Sequence, residues 1–174
     1  MKATPKLKEL LYLTKEWFLA RHVEQGSPDK QILKLFEEGG ELSSGFLKNK
    51  KDLTKDSIGD ATVVLIGLSM MLEIEPENVL FSDDKTLEEN VDKAITMIFF
   101  YASELFLSKD FLDKINVEFN LKRILAHLGR ISVLLGYEFE ECLSIAYNEI
   151  KDRKGQWVNG NWIKEEDLEE VNEH

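Results

Sequence analysis

Three glutamates fall within five residues, Glu37, Glu38 and Glu41, and two aspartates one turn apart follow shortly after, Asp56 and Asp60. On a helix turning about 100° per residue, Glu38 and Glu41 lie about 60° apart on one face, with Gln31 and Lys34 on the same side. If the two segments pair as antiparallel helices through the short link 49–52, the two sets of carboxylates face each other. Like charges held that close are costly unless something positive sits between them. Hard divalent cations take oxygen ligands, so Mg²⁺ completed by water and phosphate oxygens is the natural occupant, with Mn²⁺ as a substitute. The competing reading is a solvated acidic face. Against it, apolar strips flank the acidic stripe (the seam of Ile32, Leu35 and Leu42, and then Leu33, Phe36 and Leu47), and Asp60 opens the nearly continuous apolar run 61–72. A di-iron bundle would need Glu-x-x-His pairs, and none of His22, His127 and His174 follows a Glu at that spacing.

A second group of interest is the block 148–154, NEIKDRK, which precedes Gly155. Arg153 suits two-pronged contact with phosphate oxygens and Lys151 supplies a point charge, with Asn148 in support. The same cations also suit the negative end of a helix dipole. His127 among Leu125, Leu128 and Ile131, the lone Cys142, and the seam residues Trp17 and Phe18 read as core.

The elements that must position these groups are helical. Apolar residues at three- and four-residue steps mark a helix from Lys6 to about Val23 and a second from Pro28 to about Lys48, with Ser27 as its N-cap. A third, about Leu53 to Glu73, is the most apolar and belongs at the bundle centre. The stretch 74–84 reads as a connection. Thr86 and Glu89 suggest a capping box for a fourth helix with its seam at Val91, Ala94, Ile95, Ile98, Ala102 and Leu105. A fifth runs from about Asn116 to Leu135 and a sixth from about Phe139 to Arg153. Around Asn159-Gly160 two short β-prone runs, 157–158 and 161–163, predict a hairpin. The expected fold is all-α: a bundle of about five to six helices with a short C-terminal β-hairpin.

Composition sets the outer bounds. With 174 residues, of which 43% are hydrophobic, the chain suits one domain over 1–163, followed by an acidic tail at 164–174. The net charge of −11 speaks against binding a nucleic-acid polymer, whose phosphates want Lys and Arg. One cysteine allows neither an internal disulfide nor a cysteine-built zinc site. The run 61–72 is too short for a bilayer that needs roughly 20 apolar residues, and no apolar signal region follows Met1, so a cytoplasmic setting is expected.

The motifs resemble those of the all-α nucleotide pyrophosphohydrolases of the MazG type, particularly the small phage and Gram-positive members. That family carries EExxE on one helix and ExxD on the next, matched by Glu37-Glu38-Gly39-Gly40-Glu41 and in part by Ser57-Ile58-Gly59-Asp60. The wording QILKLFEEGGEL, DSIGDATVVLIGL and AYNEIKDRKGQWVNGNW is similar too, whereas the region from about 75 to 134 resembles an added helical pair. The resemblance implies Mg²⁺-dependent hydrolysis of a nucleoside triphosphate to monophosphate and pyrophosphate by a protein that assembles with copies of itself. Glu38, Glu41 and Asp60 would then be metal ligands. Glu37 would be a ligand, a support for one, or the base that orients water, so Glu37 and Glu38 are the catalytic candidates. Gln31, Lys34, Asn148, Lys151 and Arg153 would contact substrate. The sequence departs from the motif at Ser57, which fills the acidic position of ExxD; Asp56 beside it is the candidate replacement, directly or through water. Two other readings stand beside this one: a nucleotide-binding or regulatory bundle without turnover, and an interaction protein whose helices between 86 and 135 form an oligomer interface.

Overall fold

The computed structural model describes residues 3–83, 86, 88–109 and 113–168. Its helices are α1 (Pro5–Leu19), α2 (Pro28–Leu47), α3 (Lys51–Met71), α4 (Pro76–Leu80), α5 (Val91–Lys109), α6 (Lys114–Leu135) and α7 (Phe139–Ile150). Two antiparallel strands, β1 (Gly155–Val158) and β2 (Asn161–Lys164), close the order. The fold is therefore all-α with a C-terminal hairpin. Among the described residues, no helix is long and apolar enough to cross a membrane.

At the centre lies α3. From Ser57 to Ser69 every residue except Asp60 is buried, covered by α2, α7, α6 and α1 of the same chain. Its two glycines make close approach possible. A Cβ on Gly59 would stand 2.2 Å from the Cys142 carbonyl oxygen of α7, and one on Gly67 would stand 2.3 Å from the Phe18 ring. Contact at Gly59 brings the C-terminal half of α7 alongside the acidic end of α3. The pair α5 and α6 packs mainly on itself, with α5 also against α2. His127 is buried there and stacks on Tyr101 at 5.7 Å between ring centroids. Cys142 is fully buried, and burial pushes its thiol up to about 11.

Local chemistry explains the ends of the elements. The hydroxyl of Thr4 accepts from the Leu7 N–H at 3.1 Å, and Pro5 takes the first turn of α1, where its missing donor does no harm. Ser27 occupies the N-cap position of α2, but its side chain makes no capping bond; its N–H donates to the Gly160 carbonyl at 2.9 Å and ties α2 to the hairpin. The hairpin pairs Trp157 with Trp162, and Asn159 and Gly160 at its tip take positive φ values of 51° and 78°, as a tight two-residue turn requires.

Two sequence expectations need correction. The connection 74–84 carries the short helix α4, started by Pro76; residues 84, 85 and 87 lie outside the described residues. The helix after it is capped by Asn90, whose Oδ1 accepts from the Lys93 N–H at 2.9 Å, and not by a Thr86–Glu89 box. In the tail, residues 165–167 form a 3₁₀ turn, and residues 169–174, His174 included, lie outside the described residues.

Candidate functional site

The carboxylates of α2 and α3 gather along a cleft of about 720 Å³ between α2, α3, the end of α7 and the hairpin. Glu37, Glu38, Glu41 and Asp60 line it, joined by Glu149 from α7. The Lys34 ammonium bridges two of them, 2.9 Å from Glu37 Oε2 and 3.0 Å from Glu38 Oε1. Glu38 is only 4% exposed, and its second oxygen, Oε2, is buried without a hydrogen-bond partner. Burial, together with repulsion from Glu41 and Glu37, holds its carboxyl above the ordinary range despite Lys34.

Asp60 carries the largest perturbation of these carboxylates. Burial, then the charges of Glu38, Asp56 and Glu149, pushes its carboxyl up to about 7, with Arg153 working the other way. Asp56 does not line the cleft but shares its field: burial first, then Glu149 and Glu41, raises its carboxyl, and its Oδ1 is also buried without a partner. The site holds more negative charge than its cations neutralise.

The structure sorts the other candidates. Gln31, Lys34 and Arg153 line the cleft. Asn148 and Lys151 are exposed and do not line it; the Lys151 ammonium donates to Asn148 Oδ1 at 3.1 Å. Ser57 is 1% exposed, and its hydroxyl donates to the Leu53 carbonyl at 2.7 Å, within its own helix. The motif position filled by Ser57 is thus buried, and Asp56 is the neighbouring residue that feels Asp60, Glu41 and Glu149.

Sequence reasoning passed over Glu149 and the hairpin wall. Glu149 stands one turn before Arg153, whose Nη2 lies 4.0 Å from its Oε2. Trp157 and Trp162 form the aromatic end of the cleft with Trp17, at 5.4 Å between Trp157 and Trp162 and 5.8 Å between Trp17 and Trp162. Trp17 Nε1 donates to the Ile150 carbonyl at 2.7 Å, and Trp157 Nε1 to the Arg21 carbonyl. Arg21 in turn donates to the Arg153 carbonyl at 2.8 Å while its guanidinium lies 4.2 Å from the Trp17 ring centre. These bonds fix the turn that presents Arg153. An i, i+4 pairing of Glu149 with Arg153 was the one signal in the sequence that pointed to Glu149.

The donor set is all oxygen, partly buried and short of positive charge, which fits a hard divalent cation. Among the described residues, two buried carboxylate oxygens, Glu38 Oε2 and Asp56 Oδ1, have no hydrogen-bond partner. The side chains are not drawn together as a finished cage: among the described residues, no group of three or more His, Cys, Asp or Glu is arranged to hold a metal ion. Lys34 neutralises part of the charge of Glu37 and Glu38 and leaves the other carboxylates of the cleft without such a partner.

No family model matches the chain, and no solved structure matches it. Over 70 residues, 40% of the chain, it is 46% identical to an uncharacterized 18.2 kDa protein in the rep-hol intergenic region of Haemophilus phage HP1 (strain HP1c1). That match covers 43% of the phage protein, so the shared stretch spans less than half the length of either chain, and the chain is similar to a phage protein without an assigned role.

Proposed function

We propose that the chain is a Mg²⁺-dependent nucleotide pyrophosphohydrolase that converts a nucleoside triphosphate and water to the monophosphate and pyrophosphate. The observation that carries this reading is the under-neutralised carboxylate cleft, with Glu38 Oε2 and Asp56 Oδ1 buried without partners and Asp60 pushed up to about 7. The resemblance of Glu37-Glu38-Gly39-Gly40-Glu41 and of Asp60 to the MazG-type motifs supports it, and so does Asp56, which sits in the field of Asp60 where Ser57 supplies no acid. Glu38, Glu41, Asp60 and Asp56 would hold the metal, Mg²⁺ or Mn²⁺. Bound there, the cation supplies positive charge to the substrate's phosphate oxygens and lowers the pKa of a coordinated water.

The chain's own residues do the rest. Glu37 is exposed at the cleft and accepts a proton from the attacking water. Lys34, beside Glu37 and Glu38 in the cleft, donates to phosphate oxygens, as does Arg153, and Gln31 adds a neutral donor from the same face of α2. Lys151 and Asn148 lie beyond the cleft and contact only a substrate that extends past its mouth. The enzyme acts in the cytoplasm as an oligomer of identical chains. Apolar side chains left exposed on α5 and α6, notably Phe100, Ile115, Phe119 and Val133, support assembly, whereas α3 is covered by its own chain.

Product identity tests the reaction. Phosphorus NMR of nucleoside triphosphates incubated with protein and Mg²⁺ is expected to show monophosphate and pyrophosphate in equal amounts. Diphosphate and inorganic phosphate would refute the site of cleavage, and unchanged triphosphate across all bases and both sugars would favour the binding protein without turnover.

A further inference from the structure

In a chain of net charge −11, one pocket has no acidic side chain in its lining. It has a volume of about 440 Å³ and lies between the end of α1 and the start of the hairpin. Arg21, His22, Arg153 and Lys154 line it, with Trp157 and Trp162 as walls. Of the cations, Arg21 is partly buried and its guanidinium donates only to carbonyl groups, those of Trp17 and Arg153. Burial holds its pKa below the usual range. The face of Trp17 offsets part of that charge, but a π face is a weaker partner than an anion. Arg153 reaches a carboxylate only at 4.0 Å, and among the described residues Lys154 makes no ion pair. Three cations, Arg21, Arg153 and Lys154, thus share a lining that holds no carboxylate, although Glu24 pairs with His22 at 3.1 Å and Glu149 lies beside Arg153 outside it.

We propose that this pocket binds a multiply charged phosphate-type oxyanion, either inorganic pyrophosphate or the phosphate group of a nucleotide. Guanidinium and ammonium donors suit such oxygens, and a ligand of two or more charges meets the cations together. Arg153, Trp157 and Trp162 line both this pocket and the carboxylate cleft. An anion held here therefore adjoins the place where pyrophosphate would be released, a link that rests on the proposed hydrolysis; the pocket itself does not.

Isothermal titration of the full, metal-stripped chain at low salt separates the two ideas, because no turnover occurs without a divalent cation on the proposed mechanism. Titrant one is inorganic pyrophosphate and titrant two a nucleoside monophosphate; the tighter of them identifies the source of the oxyanion. Saturable binding that weakens as salt rises is expected, and Lys154→Glu should weaken it by about tenfold, with Lys154→Ala intermediate. Lys154 is exposed, so both variants retain the helical circular dichroism. Lys30→Glu, an equal charge reversal at an exposed position of the neighbouring cleft, should bind like wild type. Absence of saturable binding for both titrants, or equal affinity in wild type and Lys154→Glu, would overturn the assignment. So would a change in Lys30→Glu as large as that in Lys154→Glu, which would place the anion in the carboxylate cleft.

Discussion

Replacing Asp60 with Asn removes a charge that the fold buries, and the consequence for stability can be worked from the structure. In the metal-free protein the Asp60 carboxyl titrates at about 7, against 3.8 for an unperturbed aspartate. A folded-state pKa raised above the unfolded value means the native state binds the proton more tightly. The associated stability is fully present below the unfolded pKa and is lost as pH rises through the folded one. Between about pH 5.5 and about pH 8, some 1.5 units of the shift are traversed, a ceiling of about 2 kcal/mol at 1.36 kcal/mol per unit. Asp60 is only partly buried, so water and local relaxation reduce that to about 1 kcal/mol. Urea unfolding in EDTA at the two pH values is the assay. The stability of Asp60→Asn relative to wild type should grow by about 1 kcal/mol from the lower pH to the higher. Adding Mg²⁺ at about a hundred times its dissociation constant should then stabilise wild type by about 2.7 kcal/mol and the variant by much less. Parallel pH dependences in the two proteins would refute the buried charge at position 60, and equal stabilisation by Mg²⁺ would refute its role in holding the cation.

Other substitutions test the scaffold and its assembly. Gly59→Ala drives a methyl group into the Cys142 carbonyl oxygen at 2.2 Å, so thermal or urea unfolding should show a loss of about 2–3 kcal/mol from overpacking between α3 and α7; an unchanged midpoint would mean that the helices do not meet there. Ser57→Glu should lower stability by about 3 kcal/mol without raising Mg²⁺ affinity, since position 57 is buried and bonded to its own helix; a gain in affinity would show that it reaches the cation after all. Asp56→Asn, by contrast, should weaken Mg²⁺ binding measured by titration calorimetry, and wild-type affinity in that variant would remove Asp56 from the site. Sedimentation velocity at micromolar concentration should give a species heavier than the 20.1 kDa monomer, and Phe119→Glu on the exposed face of α6 should shift it toward monomer; a monomer throughout would remove the proposed self-assembly.

Much of the architecture was legible because it follows from periodicity. The three- and four-residue spacing of Ile32, Leu35 and Leu42 is the same seam that α2 buries, and the run 61–72 could only be a central helix. The Asn-Gly pair fixed the hairpin because few residues tolerate two successive positive φ angles. Pairing of Glu38 with Asp60 across two helices was legible from the short link between them. What sequence could not reveal was tertiary in origin. Helix α4 is one turn long, too short to show a period. Glu149 and Arg153 enter the cleft because Gly59 lets α7 approach and because Trp17 and Arg21 grip carbonyls at the end of that helix. Lys151, two residues from Arg153, is exposed and donates to Asn148 instead, though the two are chemically similar in sequence. Ser57 illustrates the same point: its spacing from Asp60 places both on one side of an ideal helix, but packing against the neighbouring helices buries one and leaves the other at the cleft.

Glu38, buried with one oxygen unpartnered, is the residue proposed to hold the divalent cation that nucleotide cleavage requires. Pyrophosphate release from nucleoside triphosphates, measured side by side for wild type and Glu38→Gln across a range of Mg²⁺ concentrations, tests it most directly. Glutamine keeps the size and the Lys34 contact through its carbonyl oxygen but removes the negative charge. Wild type should release pyrophosphate only with Mg²⁺ present, and Glu38→Gln should need far more Mg²⁺ and turn over at least about a hundredfold more slowly while keeping its helical circular dichroism. Equal rates in the two proteins, or release by wild type that does not depend on Mg²⁺, would contradict it.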